Sequence, residues 1–530
     1  MSAPRYRRNY YKYGYAHPMS HILPRPGDLF DRQREWADLS DFATATTAGL
    51  RLGIVSGRRR QGKSYLLRRL VAAQDGLYHQ AQEVERVQAL SRFAADVAAG
   101  LGLPSGTVQF ASWDDALRLA LGYARRGSPD SSPPRSAAGP ARLVVLDEYP
   151  YLLAHSPELP SVIQELYDEA QSGDRPPAAL ILCGSALSVM TEILSGTKPL
   201  RGRAQVNMTI RPFDFRLARD YWGIDDPQVA FLVDAVLGGT AGYRPLITGT
   251  PPDTADGMRD WLAGNALNPA HALFDETDYL LREDPRIRDK APYNSVLSAI
   301  AAGEHSQKDI GATLGRNASQ LRHPLEVLEQ AGFVYRVEDM LVDRRPSYYL
   351  ADPIVRFAET VTAPNRALLE ERDVAGAWAR SERSFSARVL GPHFEQLSRV
   401  WAARYASATW DLSLGDVGPA VVNDPAGRAQ HEIDVLALGA GGCRGDEHAP
   451  IAILGEAKST NQVRASSDLA RLERIRALLV TRGLDADNAL LVLFSRTGYT
   501  ADLVTAVAQR DDVRLVDLDV LYGAQGHRPR

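Results

Sequence analysis

Cysteine is nearly absent from this chain: Cys183 and Cys443 are the only two among 530 residues. A pair so far apart in sequence excludes a disulfide framework and a paired zinc-ligand cluster, and it suits a reducing compartment. Long apolar runs are also missing, since no stretch approaches the roughly 18 residues that span a bilayer. The start MSAPRYRRNYYKYGY lacks the apolar core of a signal peptide. No strong charge bias exists either, the formal net charge being −4. A soluble cytoplasmic protein without a membrane partner is therefore expected. With 45% hydrophobic and 24% charged residues the composition is that of ordinary globular domains, and the length calls for two to four of them.

Residues 1–27 hold Arg5, Arg7, Arg8, Lys12 and Arg25 among five tyrosines and no acid. They read as an arm that is either solvated or able to touch nucleic acid by charge and stacking. FDRQREWADLSDF has apolar residues at helical spacing. It is followed by a strand, RLGIVSG, a glycine loop and the helix SYLLRRLVAAQ, the order of a parallel α/β sheet. Two more buried strands are expected at Leu143–Leu146 and Ala179–Cys183. The Ser, Pro and Gly of residues 127–141 mark a surface insertion between the first two of these strands.

The loop is Gly57-Arg58-Arg59-Arg60-Gln61-Gly62-Lys63-Ser64, with Tyr65 directly after it, and it satisfies G-x-x-x-x-G-K-[ST] between a strand and a helix. The glycines let backbone N–H groups wrap phosphates, Lys63 reaches the β and γ phosphates, and Ser64 can ligate Mg²⁺. Asp147, ending LVVLD, is the expected second Mg²⁺ ligand, and Glu148 beside it is the expected general base for water. ATP and Mg²⁺ are thus the expected cofactors. Ser185, at the end of the third strand, reads as a contact to the γ-phosphate or the water, or as a plain turn residue. Arg201 and Arg203 in KPLRGRA are candidates for the arginine that neutralises transition-state charge.

These segments, with RPFDF, LGGTAGYRPL and FDETDYLLRED, together resemble the archaeal-type AAA ATPases related to the signal-transduction ATPases with numerous domains. The resemblance implies a P-loop ATPase core over residues 28–215 and a helical lid over 216–280. Gly242-Tyr243-Arg244-Pro245 departs from the Gly-Pro-Tyr-like order typical of that family.

Residues 281–362 read as a winged helix-turn-helix: a helix, a short helix Gln307–Leu314, a turn at Gly315, a longer helix from Ser319, and a strand pair ending at SYYLAD. Double-stranded DNA would meet Ser319, Gln320, Arg322 and His323. Between 303 and 345, however, six cations (Lys308, Arg316, Arg322, Arg336, Arg344, Arg345) face seven anions (Glu304, Asp309, Glu326, Glu329, Glu338, Asp339, Asp343). A winged helix used for packing is the equal alternative. A Pro-containing linker is expected at 363–384.

From 385 to 530 strands return in TWDLSL, EIDVLAL, IAILGEAK, ALLVLFS and VRLVDLD. Glu456 and Lys458, two apart on a strand, share a face, and Asp434 on a neighbouring strand can join them. Two carboxylates holding Mg²⁺ beside one ammonium suit phosphodiester hydrolysis. The spacing resembles the PD-(D/E)xK nuclease superfamily, which implies a metal role for Glu395 on the preceding helix as well. The expected fold class is α/β throughout, a P-loop parallel sheet with lid, winged helix and second α/β domain. The expected function is an Mg·ATP hydrolase coupled to a metal-dependent nuclease. The rival is a nucleotide-switched regulator with an inactive nuclease-like domain and a protein partner or second copy.

Overall fold

A computed structural model describes residues 23–123, 142–172, 175–342, 346–425, 427–446 and 448–523. Most of the basic arm and the insertion at 127–141 lie outside the described residues. The chain divides into two compact units. The first comprises Met1–Ser56, Lys63–Gly184 and Glu192–Thr209, and the second Gly57–Gly62, Ser185–Thr191 and Ile210–Arg530.

The first unit is built on five parallel strands, β1 (Leu50–Ser56), β2 (Leu77–Gln80), β3 (Arg142–Asp147), β4 (Ala178–Gly184) and β5 (Ala204–Thr209). Their order is β2-β3-β4-β1-β5. Strands β1 and β4 are buried along their whole length and β3 over nearly all of it, as expected of apolar runs covered by helices on both faces. Gly53 makes room for Phe42, whose ring would stand 3.1 Å from a Cβ there. That contact seats the helix Gln33–Thr44, foreseen from its periodicity, through Trp36, Leu39 and Phe42. Strands β2 and β5 were not foreseen. One has four residues, and the other, AQVNMT, alternates between half-buried and exposed at the sheet edge.

The second unit opens with the helices Phe215–Trp222 and Pro227–Leu237, each capped by an aspartate (Asp214, Asp226) that accepts two backbone N–H bonds. Helices Ala291–Ala301, Gln307–Leu314 and Ala318–Gln330 follow, with Gly315 in the left-handed region at the turn. Strands β6 (Val334–Glu338) and β7 (Pro346–Leu350) then pair antiparallel. This is the element order expected of 281–362.

Residues 363–384 are not a linker. A short turn (Ala363–Asn365) and the helices Arg366–Glu370 and Val374–Ser384 occupy them. Pro364 stands at the start of its turn, where its missing N–H costs no hydrogen bond, and Leu369 and Ala377 are buried. TWDLSL is likewise not a strand. Residues Ser407–Trp410 are helical, and Asp411 ends the helix with φ 53° while Trp410 packs on Trp401, ring centroids 4.9 Å apart.

The unit closes with β8 (Leu414–Asp424), β9 (Ala429–Gly439), β10 (Ile451–Lys458), β11 (Leu490–Ser495) and β12 (Val513–Val516), in the order β12-β11-β10-β9-β8. Strands β8, β9 and β10 run antiparallel, and β10, β11 and β12 parallel. The helix Ser466–Thr481 buries Leu469, Leu472, Ile475 and Leu479 in the core of this sheet.

Candidate functional site

In the second unit, the loop Gly57–Gly62 is shaped by close approach. A Cβ on Gly57, at φ 150°, would lie 2.5 Å from the Ile210 carbonyl, so only glycine fits. Gly62 and Arg60 also have positive φ, 90° and 67°. The three arginines between the glycines each meet an acid. Arg58 Nη1 lies 3.1 Å from Asp352 and donates to the Gly332 carbonyl, with its guanidinium 4.5 Å from the centre of the Phe333 ring. Arg59 pairs with Glu283. Arg60 makes a two-pronged contact to Glu276, at 2.6 and 2.8 Å, and accepts the Gly242 N–H on its carbonyl at 2.7 Å. Glu276 is fully buried, and burial pushes its carboxyl upward against the pull of Arg60. Ser185 donates to the other oxygen of Glu283, at 2.8 Å, so this acid holds a loop arginine and the strand-end serine together. Sequence reasoning missed Glu276, Glu283 and Asp352. For Glu276 and Glu283 the signal available was the acid-rich segment FDETDYLLRED, matched by three adjacent cations in the loop.

In the first unit, Lys63 begins the helix Lys63–Gln74 and is buried. Asp147 is fully buried at the end of β3. Burial works to raise its pKa, but hydrogen bonds from Cys183, Ser64, Tyr78 and the Glu148 N–H prevail and hold it below the ordinary aspartate value. Burial and the Asp147 charge push the Tyr78 phenol and the Cys183 thiol upward, so both stay protonated donors to it. Ser64 and Asp147 thus pair a hydroxyl with an ionised carboxylate, a donor set that fits Mg²⁺. Glu148 follows with φ 54°, a left-handed conformation that a non-glycine residue adopts at a cost and that recurs at functional sites. Neither Tyr78 nor Cys183 was foreseen.

Three expected residues are engaged elsewhere. Tyr65 is 44% exposed, and its hydroxyl donates to Asp28 at 2.9 Å. Arg203 grips Asp168 at 2.9 and 2.8 Å, while Arg201 donates to the Gly196 carbonyl at 2.8 Å.

The C-terminal acids come from three elements of the second unit: Glu395 from the helix Gly391–Trp401, Asp434 from β9, and Glu456 with Lys458 from β10. Val435 lies opposite Gly455, which brings Asp434 alongside Glu456, and Asp434 Oδ2 accepts the Ala457 N–H at 2.7 Å. Burial, with the Asp434 charge beside it, lifts the Glu395 carboxyl to about 7. Burial also raises Asp434, against the pull of the Ala457 N–H and Lys458. Glu456 is 3% exposed and turns to cations: Lys458 Nζ at 3.1 Å, Arg464 at 3.5 Å and Arg471. Among the described residues no three His, Cys, Asp or Glu side chains are gathered to hold a metal ion. Glu395 and Asp434, both raised by burial, are the donor set a divalent cation relieves, and Mg²⁺ is commonly held by one or two carboxylates plus waters.

The β6–β7 pair lies against this region. Met340, just after β6, donates to the Pro419 carbonyl of β8 at 2.9 Å, and Arg444 pairs with Glu338 at 2.7 Å. His305 stacks on Tyr349, and Tyr349 on Tyr335, with centroids 4.3 and 5.6 Å apart. The Glu395 charge adds to the burial that lifts the Tyr349 phenol to about 12. Ser319, Gln320, Arg322 and His323 are all exposed on the helix Ala318–Gln330, with Arg322 donating to Glu326.

No protein-family profile matches the chain. An uncharacterized protein of Methanocaldococcus jannaschii is 23% identical over 324 residues, covering 60% of this chain and 65% of its own length. The chain therefore spans just under two thirds of that relative. Among solved structures, a Walker-type ATPase of Pyrococcus abyssi shares 19% identity over 65% of this chain and 99% of its own, with a TM-score of 0.44. The ORC2 protein of Aeropyrum pernix shares 16% over 66% and 96%, at 0.40. The ORC1 protein of the same organism, solved in complex with DNA, shares 16% over 67% and 96%, at 0.33. A parallel sheet in the order β2-β3-β4-β1-β5, a helix that opens with Lys63 and Ser64, and an acid pair closing β3 give the first unit the fold of the P-loop ATPases.

Proposed function

We propose that this chain binds and hydrolyses Mg·ATP. The observation that carries the reading is Asp147, buried yet held ionised by Ser64, Tyr78 and Cys183, with Glu148 next in the chain. Bound Mg²⁺ would neutralise phosphate charge as it develops. Ser64 and Asp147 would hold the metal, and Lys63 at the helix start would reach the β and γ phosphates. Glu148 orients the attacking water and takes its proton. Lys63→Ala abolishes nucleotide binding, whereas Glu148→Gln retains it and slows turnover about 100-fold. Normal turnover in Glu148→Gln overturns the base assignment.

The same reading makes the C-terminal sheet a metal-dependent DNA nuclease. Glu395 and Asp434 would hold Mg²⁺, and Lys458 would orient water or stabilise the developing charge; Glu456, expected as a third ligand, is instead paired with Lys458, Arg464 and Arg471. Burial of both carboxyls beside each other, which raises Glu395 and Asp434 alike, supports it. Mg²⁺-dependent nicking should vanish in Asp434→Ala and in Lys458→Ala, and nicking retained in both assigns it to another site or a contaminant.

A second reading has its own observation. Contact of the β6–β7 pair with β8, through Met340 and Pro419, suits a winged helix used for packing in a nucleotide-switched regulator of protein partners. ATP turnover indifferent to DNA favours it.

A further inference from the structure

Around Glu456 the cations are concentrated on one atom. Its Oε1 is the shared partner of Lys458 Nζ, Arg464 Nη2 and Arg471 Nη1. Three like charges so close repel unless an anion stands among them, and Glu456 is that anion in the free protein. Asp468, 3.0 Å from Arg464 Nη1, is the second acid in contact, so three cations meet two carboxylates. Arg464 is 5% exposed, and its backbone is fixed by hydrogen bonds to Gly498 and from Thr500 at 3.0 and 2.9 Å. Its Nε is nevertheless buried without a hydrogen-bond partner, and its Nη2 has only the 3.5 Å ion pair to Glu456. Unused guanidinium donors in a dry setting are costly to leave unmade, and an anion with several acceptor oxygens satisfies them. Solvent reaches the cluster through Lys458 and Arg471, whose side chains are 40% and 32% exposed. Lys458 also draws down the carboxyls of both Asp434 and Glu395, which places the cationic group next to the acid pair.

We infer that Lys458, Arg464 and Arg471 form a subsite for a backbone phosphate of nucleic acid, with Glu456 holding the three cations together until the phosphate arrives. Arg471 is the residue that changes partner on binding, since it alone comes from the helix Ser466–Thr481 and is partly exposed. The subsite rests on the nuclease reading only for its placement beside the metal ligands. Its binding chemistry needs no metal.

The test is fluorescence anisotropy of the full chain with a labelled short duplex DNA, in EDTA, over a series of salt concentrations. Arg471→Ala should weaken binding about tenfold near 0.1 M salt and reduce the slope of log K against log salt by about 0.9, the change that follows when one fewer phosphate is neutralised. Arg471→Lys should recover the slope but only part of the affinity, because the charge returns without the fork. Arg471→Gln keeps a donor for Glu456 and should bind like Arg471→Ala, which separates lost charge from a damaged fold. Unchanged affinity and slope in both neutral variants, or no DNA binding by the wild type at low salt, overturns the subsite. Weaker binding in the variants of a chain that never nicks DNA sustains the subsite and sinks the nuclease. Nicking with binding untouched in the variants does the reverse.

Discussion

Arg58, Arg59 and Arg60 occupy the variable positions of the phosphate loop, and each is committed to an acid far along the chain, Glu276 standing 216 positions from Arg60. Spacing singles out Lys63, Ser64, Asp147 and Glu148 because phosphate and Mg²⁺ chemistry asks for these residue types at short range. The acids escaped because an ion pair between distant segments leaves no periodic trace. Arg60→Ala should destabilise the second unit by about 3 kcal/mol, since it strands the fully buried Glu276 without its partner. Arg60→Ala combined with Glu276→Gln should recover part of that loss. Urea unfolding of both variants checks the claim, and equal losses would show that the pair is not coupled.

At the scale of elements, caps and turns were readable: Gly315 closes its helix, and the three helices before β6 stand where their periodicity put them. Strand β8 was not, because Gly415, Gly418 and Pro419 interrupt it. Those residues are tolerated at an edge, where β8 has one neighbour and Pro419 needs no ladder N–H. Residues 363–384 misled for the same reason, a proline at a helical start resembling a break. Helices Pro227–Leu237 and Gly391–Trp401 are joined by buried His393, whose Nε2 lies 2.9 Å from Asp234. Burial lowers its pKa more than Asp234 raises it, so the native state favours the neutral ring. The unfolded chain then binds more protons below about pH 6.5, and stability declines as pH falls through that value. His393→Gln should flatten this part of a melting-temperature profile between about pH 6.5 and 5. An unchanged slope would place the titration elsewhere.

For the whole molecule, no helix among the described residues is long and apolar enough to cross a membrane. The α/β character of both sheets followed from apolar strand runs alternating with amphipathic helices. The contact of the β6–β7 pair with β8 did not, since it depends on a backbone hydrogen bond at Pro419 and the Arg444–Glu338 pair rather than on a pattern. Arg444→Ala should loosen this contact and raise amide exchange in residues 334–342, while β11, buried along nearly all its length, keeps its protection. Exchange unchanged in 334–342 would mean that other contacts hold the pair.

The central claim is most directly tested by phosphate release from Mg·ATP, comparing the wild type with Lys63→Ala and Glu148→Gln, each with and without double-stranded DNA. The account predicts turnover in the wild type, none in Lys63→Ala, and tight nucleotide binding with turnover reduced about 100-fold in Glu148→Gln. Turnover that survives Lys63→Ala would contradict it.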